Sequence, residues 1–179
     1  MKGTFITFEG CESCGKSTQS RLLAGYLKDK GREVVFLREP GGTAVSEKIR
    51  ELLLDPDNSS ICAETELLLY MASRAQTVRE VIMPALRRGA VVVCDRFLDS
   101  TIVYQGYGLG LDKRLIRQLG AFSAAGIQPD LTILLELPLK QAMDKISRRK
   151  DRIERRSFAY HRRVKRGYLA LARKEPGRI

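Results

Sequence analysis

The sequence is short of the residues and runs that define several protein classes. Its one histidine, His161, sits in a polar helical stretch where it is expected to be solvated, and no histidine-based catalysis is available elsewhere. Six prolines and 15 glycines among 179 residues exclude fibrous and disordered classes. No apolar run approaches the roughly 20 residues of a membrane span, and MKGTFITFEG passes straight into a strand-like pattern without a secretory leader. The expectation is a cytoplasmic protein with no membrane partner. Four cysteines, Cys11, Cys14, Cys62 and Cys94, on a chain that is 44% hydrophobic fit a reducing compartment better than a disulfide scaffold. A chain of this length buries about 70% of its unfolded surface and needs no covalent staple. With no repeat and no Pro/Gly/Ser-rich linker, residues 1–179 read as one domain.

Charge is abundant but uneven. Residues 1–139 hold 17 basic and 17 acidic side chains, whereas residues 140–179 hold 15 basic against 4 acidic, so the net +11 lies entirely in the last quarter. A basic tail suits nucleic acid or a membrane surface, but equally a nucleotide's phosphates.

Short β-branched runs recur at Thr4–Phe8, Glu33–Leu37, Val91–Cys94 and Leu131–Leu135, nearly continuous as in parallel strands buried on both faces. Helical patterns lie between and after them at Lys16–Lys28, Val45–Leu54, Cys62–Arg88, Lys113–Ala125, Leu139–Arg149 and Phe158–Arg173, with Pro84 kinking or splitting the third. Alternation of this kind predicts an α/β fold, a doubly wound parallel sheet with helices on both faces and ligands at the carboxyl ends of the strands.

The first strand runs into Gly10-Cys11-Glu12-Ser13-Cys14-Gly15-Lys16-Ser17, which fits G-x-x-x-x-G-K-[ST], and then Thr18 opens a helix. Strand, loop and helix are the context in which such a loop curls its N–H groups around a phosphate; Lys16 reaches the outer phosphates and the Ser17 hydroxyl can ligate Mg²⁺. Gly10, Cys11, Glu12, Ser13, Cys14, Gly15, Lys16, Ser17 and Thr18 are therefore candidate ATP-binding residues. The run Val91–Cys94 ends at Asp95, where P-loop NTPases place the carboxylate that holds Mg²⁺. In the stretch 148–156 six of nine residues are basic, a candidate lid at about 147–157 that supplies positive charge to a transferring phosphoryl group.

Taken with LREPGGT at 37–43, LLLYMASRAQ at 67–76, DRFLDSTIVYQGYGLGL at 95–111 and DRIERRSFAYHRRVKRGYLALA at 151–172, the FEGCESCGKSTQ segment at 8–19 resembles the bacterial thymidylate kinases over nearly the whole chain. The resemblance implies a P-loop NTPase three-layer sandwich, Mg²⁺ with ATP as co-substrate, dTMP as acceptor and a homodimer, with no nucleic-acid partner. It further implies that Arg38, Glu39 and Pro40 shape the acceptor pocket, that Arg50 and Arg96 hold the acceptor phosphate, and that Tyr70 stacks on thymine in place of the usual Phe. Arg74 would bind the base carbonyl. Ser100, Thr101, Tyr104 and Gln105 match positions that read base and sugar, Tyr104 crowding the ribose 2′ position. Phe97 stands where Tyr is usual. Ser13 carries no charge, which matches the subtype that takes its catalytic arginine from the lid, with Arg148, Arg149 and Arg152 as candidates; Glu12 fits the carboxylate near the acceptor sugar and phosphates. The catalytic set is thus Lys16, Glu12, Asp95, Arg96 and a lid arginine.

Family members continue past a segment like Pro176-Gly177-Arg178-Ile179 into one more strand and a closing helix, so the last edge strand and helix are expected to be absent here. Cys11 and Cys14 form C-x-x-C inside the loop, read as small polarisable residues filling variable positions, with oxidation to a loop-distorting pair as the alternative. Two rival readings stay open: a kinase of this fold for another acceptor such as dUMP, and a non-catalytic ATP-binding protein with a basic interaction segment.

Overall fold

A computed structural model describes residues 3–145 and 151–179. Four strands, β1 (Thr4–Gly10), β2 (Val34–Arg38), β3 (Val91–Asp95) and β4 (Leu131–Leu135), form one parallel sheet in the order β2-β3-β1-β4. In β3 every residue is buried and successive side chains point to opposite faces. Val91 and Val93 pack with Phe8 and Ala24 under α1 (Lys16–Asp29), while Val92 and Cys94 pack with Phe5, Val78, Ile82 and Phe97 on the other face. Helices therefore cover both faces of the α/β P-loop sandwich. The flanking strands β2 and β4 are only half-buried, since each has a neighbour on one side alone.

The second face carries α2 (Ala44–Leu54), whose N-terminus is capped by the Thr43 hydroxyl accepting from Ser46 N, and α3 (Ala63–Thr77). The helix expected over Cys62–Arg88 is interrupted earlier than Pro84 itself: a π-helical turn spans Val78–Ile82 before α4 (Met83–Arg87) resumes. Proline has no N–H for the carbonyl four residues back, and the preceding turn widens to absorb the loss. Directly after β3 come α5 (Leu98–Thr101) and a second π turn, Ile102–Gly108, followed by α6 (Lys113–Ser123). Hydrophobic periodicity predicts no element over residues 98–108, and the structure places α5 and this turn there.

Two expectations change near the C-terminus. The helix expected over Leu139–Arg149 is α7 (Leu139–Asp144), and Arg148 and Arg149 lie outside the described residues. His161, on α8 (Phe158–Lys174), is 1% exposed rather than solvated. Its ring stands edge-on to Tyr160, centroids 5.3 Å apart. The α8 helix buries Tyr160, Val164, Tyr168 and Leu171 against the Ile102–Gly108 turn, and that face takes His161 with it.

Candidate functional site

A cavity of about 530 Å³ opens at the carboxyl ends of β1 and β3, where open α/β sheets bind ligands. Its floor at one end is the phosphate loop. Gly10 takes φ 140, and a Cβ there would lie 2.2 Å from the Leu135 carbonyl oxygen, so only glycine permits the chain to leave β1 beside β4. Ser13 (φ 54) and Gly15 (φ 95) continue the left-handed path into α1. Glu12, Ser13, Gly15, Lys16, Ser17 and Thr18 line the cavity, while Gly10, Cys11 and Cys14 support it from behind. The Lys16 ammonium folds back across the loop, donating to the Cys11 carbonyl at 2.5 Å and lying 3.7 Å from the Cys14 sulfur. All four cysteines are free thiols, and burial pushes the Cys11 thiol up to about 11.

Beside the loop the Ser17 hydroxyl donates to Asp95 Oδ2 at the end of β3. These two hard oxygen donors from different elements meet at the mouth of the phosphate loop, a donor set that suits Mg²⁺. The next residue, Arg96, holds φ 73, a left-handed conformation costing about 1–3 kcal/mol for a non-glycine residue, and is retained by its contacts. Its guanidinium donates to the Gly10 carbonyl (3.0 Å), Ser100 Oγ (3.1 Å), the Tyr168 hydroxyl (3.1 Å) and Glu12 Oε1 (2.9 Å). Tyr104 donates to the same Glu12 oxygen at 2.8 Å and stacks under the Arg96 guanidinium, 5.0 Å from its ring centroid. Burial pushes the Glu12 carboxyl up, but Arg96 and Lys16 outweigh it and hold the group down at about 2.

The far end of the cavity is built by α3 and the residues after β2. Arg74, 2% exposed, pairs its Nε with Glu39 Oε2 at 2.9 Å and donates from Nη2 to Thr101 Oγ1 at 2.8 Å. Burial raises Glu39 to about 7 against the opposing pull of Arg74, and Glu39 Oε1 has no hydrogen-bond partner among the described residues. Arg50 reaches from α2 to the Pro40 carbonyl at 3.0 Å. Tyr70 lines the wall one turn before Arg74, and burial drives its hydroxyl well above the ordinary range. Glu39, Pro40, Arg50, Tyr70, Arg74, Arg96, Ser100, Thr101, Tyr104 and Gln105 are all brought to this one cavity.

Arg152 is not. It is 8% exposed, with Nη1 2.7 Å from Glu66 Oε2 and Nε donating to the Leu53 carbonyl at 2.8 Å, while its neighbours Asp151, Ile153 and Glu154 line the cavity. A buried carboxylate attracts the nearest guanidinium more strongly than an open cleft does.

Three supporting residues escaped sequence reasoning. Glu9, 1% exposed, accepts from Phe97 N (2.8 Å), Ser100 N (3.2 Å), Ser100 Oγ (2.6 Å) and the Tyr168 hydroxyl (2.9 Å), so it fixes the strand-to-helix turn that bears Arg96. A glutamate inside an apolar strand was its one available signal. Tyr168 and Glu66 gave none, because both read as ordinary helix residues.

The family model for thymidylate kinase matches residues 8–179. A thymidylate kinase of Geobacter sulfurreducens is 52% identical over 185 residues, covering 99% of this chain and 87% of that protein. Another, from Exiguobacterium, is 50% identical over 181 residues, covering 100% and 85%. Among solved structures, thymidylate kinase from Ehrlichia chaffeensis superposes with a TM-score of 0.83 at 37% identity, covering 99% of this chain and 91% of that one.

Proposed function

The chain belongs to the thymidylate kinase family, and on that premise we propose that the cavity of about 530 Å³ is where the γ-phosphoryl group of ATP passes to dTMP. The protein is a transferase, a nucleoside-monophosphate kinase that converts dTMP to dTDP in nucleotide biosynthesis with ATP as co-substrate. The observation that carries the assignment of roles is the polarity of the cavity: phosphate loop, Lys16, Glu12 and Arg96 at one end, Tyr70, Arg74 and Gln105 at the other.

In this reading the loop amides and Lys16 hold the donor phosphates, and the Cys11 carbonyl keeps the ammonium across the loop. Ser17 and Asp95 are the residues that would hold Mg²⁺, which when bound supplies charge neutralisation to the phosphates of ATP. Arg96 and Arg50 grip the acceptor phosphate, Glu12 and Tyr104 orienting the Arg96 guanidinium. Tyr70 stacks on thymine, and Arg74, immobilised by Glu39 and Thr101, aims at the base carbonyl. Ser100, Thr101, Tyr104 and Gln105 read base and sugar. Arg148 and Arg149 are the lid arginines we assign to the transferring group, and Arg152, paired with Glu66, anchors residues 151–156. No covalent intermediate is needed: catalysis is positioning plus charge placed where it develops.

We further assign the chain to the cytoplasm as one domain and a homodimer. Among the described residues no helix is long and apolar enough to cross a membrane. Leu68 on α3 (56% exposed) with Leu115 (48%) and Phe122 (85%) on the adjacent α6 supports helix-to-helix pairing of two copies. The basic surplus serves nucleotide phosphates rather than nucleic acid.

A coupled ADP-release assay with and without dTMP tests the reaction, and EDTA should abolish turnover. Turnover independent of dTMP, or faster with dUMP, would overturn the assignment; strong, salt-sensitive DNA binding would favour the non-catalytic alternative.

A further inference from the structure

Glu66 lies on α3, 0% exposed and behind the cavity wall, yet it gathers more hydrogen-bond donors than a buried carboxylate needs for neutrality. Oε1 accepts from Gln105 Nε2 at 2.8 Å, and Oε2 from Arg156 Nη2 at 2.6 Å, with Arg152 Nη1 at 2.7 Å. Arg152 is tied in turn to the end of α2, its backbone N–H donating to the Leu54 carbonyl at 3.0 Å. One and two turns further along α3 stand Tyr70 and Arg74, which share the face of Glu66. On the other side, Arg152 and Arg156 bracket Ile153 and Glu154, which line the cavity.

We propose that Glu66 is a positioning residue for phosphoryl transfer: its carboxylate clamps residues 151–156 and Gln105 to the helix that carries the base-recognition pair, so that two walls of the cavity keep one geometry. The inference rests on the roles assigned above to Tyr70, Arg74 and Gln105. Displacement of a cavity wall by about 1 Å costs about 10²-fold in rate when geometry is what catalysis depends on, and that loss falls on kcat more than on ground-state binding.

The test is steady-state kinetics of wild type, Glu66→Gln, Arg156→Gln and the double variant, each normalised to folded protein by circular dichroism. Glu66→Gln is expected to lower kcat about tenfold or more at saturating substrates while KM for ATP moves less than about threefold. Arg156→Gln leaves no buried charge stranded, because Glu66 keeps Arg152 Nη1 at 2.7 Å, so it keeps the fold and should lose about threefold in kcat. Arg156→Lys should restore most of that loss. The double variant should be no worse than Glu66→Gln alone, since Arg156 acts through the Glu66 carboxylate. Unchanged kcat in Arg156→Gln, or additive losses in the double variant, overturns the proposal, and Arg156→Gln decides it alone if Glu66→Gln does not fold. Wild type without dTMP-dependent ADP release overturns the assigned reaction instead, a distinct outcome.

Discussion

Replacing Glu12 with glutamine removes a carboxylate held by two cations, and its consequence for stability follows from the site's electrostatics. Arg96 Nη2 lies 2.9 Å from Glu12 Oε1, and both side chains are mostly shielded, 16% and 22% exposed. Burial alone would raise the carboxyl; Arg96 and Lys16 instead bring it from 4.5 down to about 2. At about 1.4 kcal/mol per pH unit that gap is worth about 3 kcal/mol of folding stability. The sign follows from proton counting. Between pH 4.5 and about 2 the unfolded chain binds the proton and the folded one does not, so the contribution is fully present above pH 4.5 and is lost as pH falls toward 2. Urea unfolding of wild type and Glu12→Gln from pH 7 to pH 3 should show a difference of about 3 kcal/mol at pH 7, roughly halved by pH 3. A difference below about 1 kcal/mol at pH 7, or one that is flat with pH, would refute the reasoning.

Tyr168→Phe deletes a hydroxyl shared by Glu9, Ser100 and Arg96; at about 1 kcal/mol per hydrogen bond, loss of the one bond that reaches Arg96 should lower kcat/KM for dTMP about fivefold with the fold intact, as steady-state kinetics will show. Gly10→Ala must push a Cβ into the Leu135 carbonyl at φ 140, so ATP binding by calorimetry should be lost and the thermal midpoint should drop by about 10 °C or more. With a thiol reagent at pH 8, the exposed Cys62 and the half-buried Cys14 should react in native protein, and Cys11 and Cys94 only after denaturation. ATP should slow Cys14 alone. Rapid native reaction of Cys11 would contradict its burial and raised thiol.

Local signals in the sequence were strong where backbone chemistry is local. The loop Gly10–Ser17, the apolar runs of β1 to β4 and the acid closing β3 are short-range patterns, and the structure has each of them in the expected order. Arg74, Tyr104 and Gln105, which we assign to the acceptor, were legible only through the family pattern, because a tyrosine or arginine on a helix carries no label of what it faces. The helix after β3 is not legible in the sequence since residues 98–108 are buried or half-buried all round, Asp99, Ser100, Thr101 and Gln105 included, and periodicity needs a solvent-facing polar side to be seen.

Buried polar groups mark the limit. His161 stands in a run of basic residues that reads as solvent-facing, yet α8 packs that side inward against Tyr160. Arg152 has the composition of a catalytic lid residue, and Glu66, 86 positions away in the chain, claims it. Composition and short-range order pointed to the fold class and the phosphate loop, and the family resemblance implied the reaction. Which charges face substrate and which are consumed inside the protein was decided by packing, because an ion pair between distant segments depends on a distance that exists only once the chain is folded.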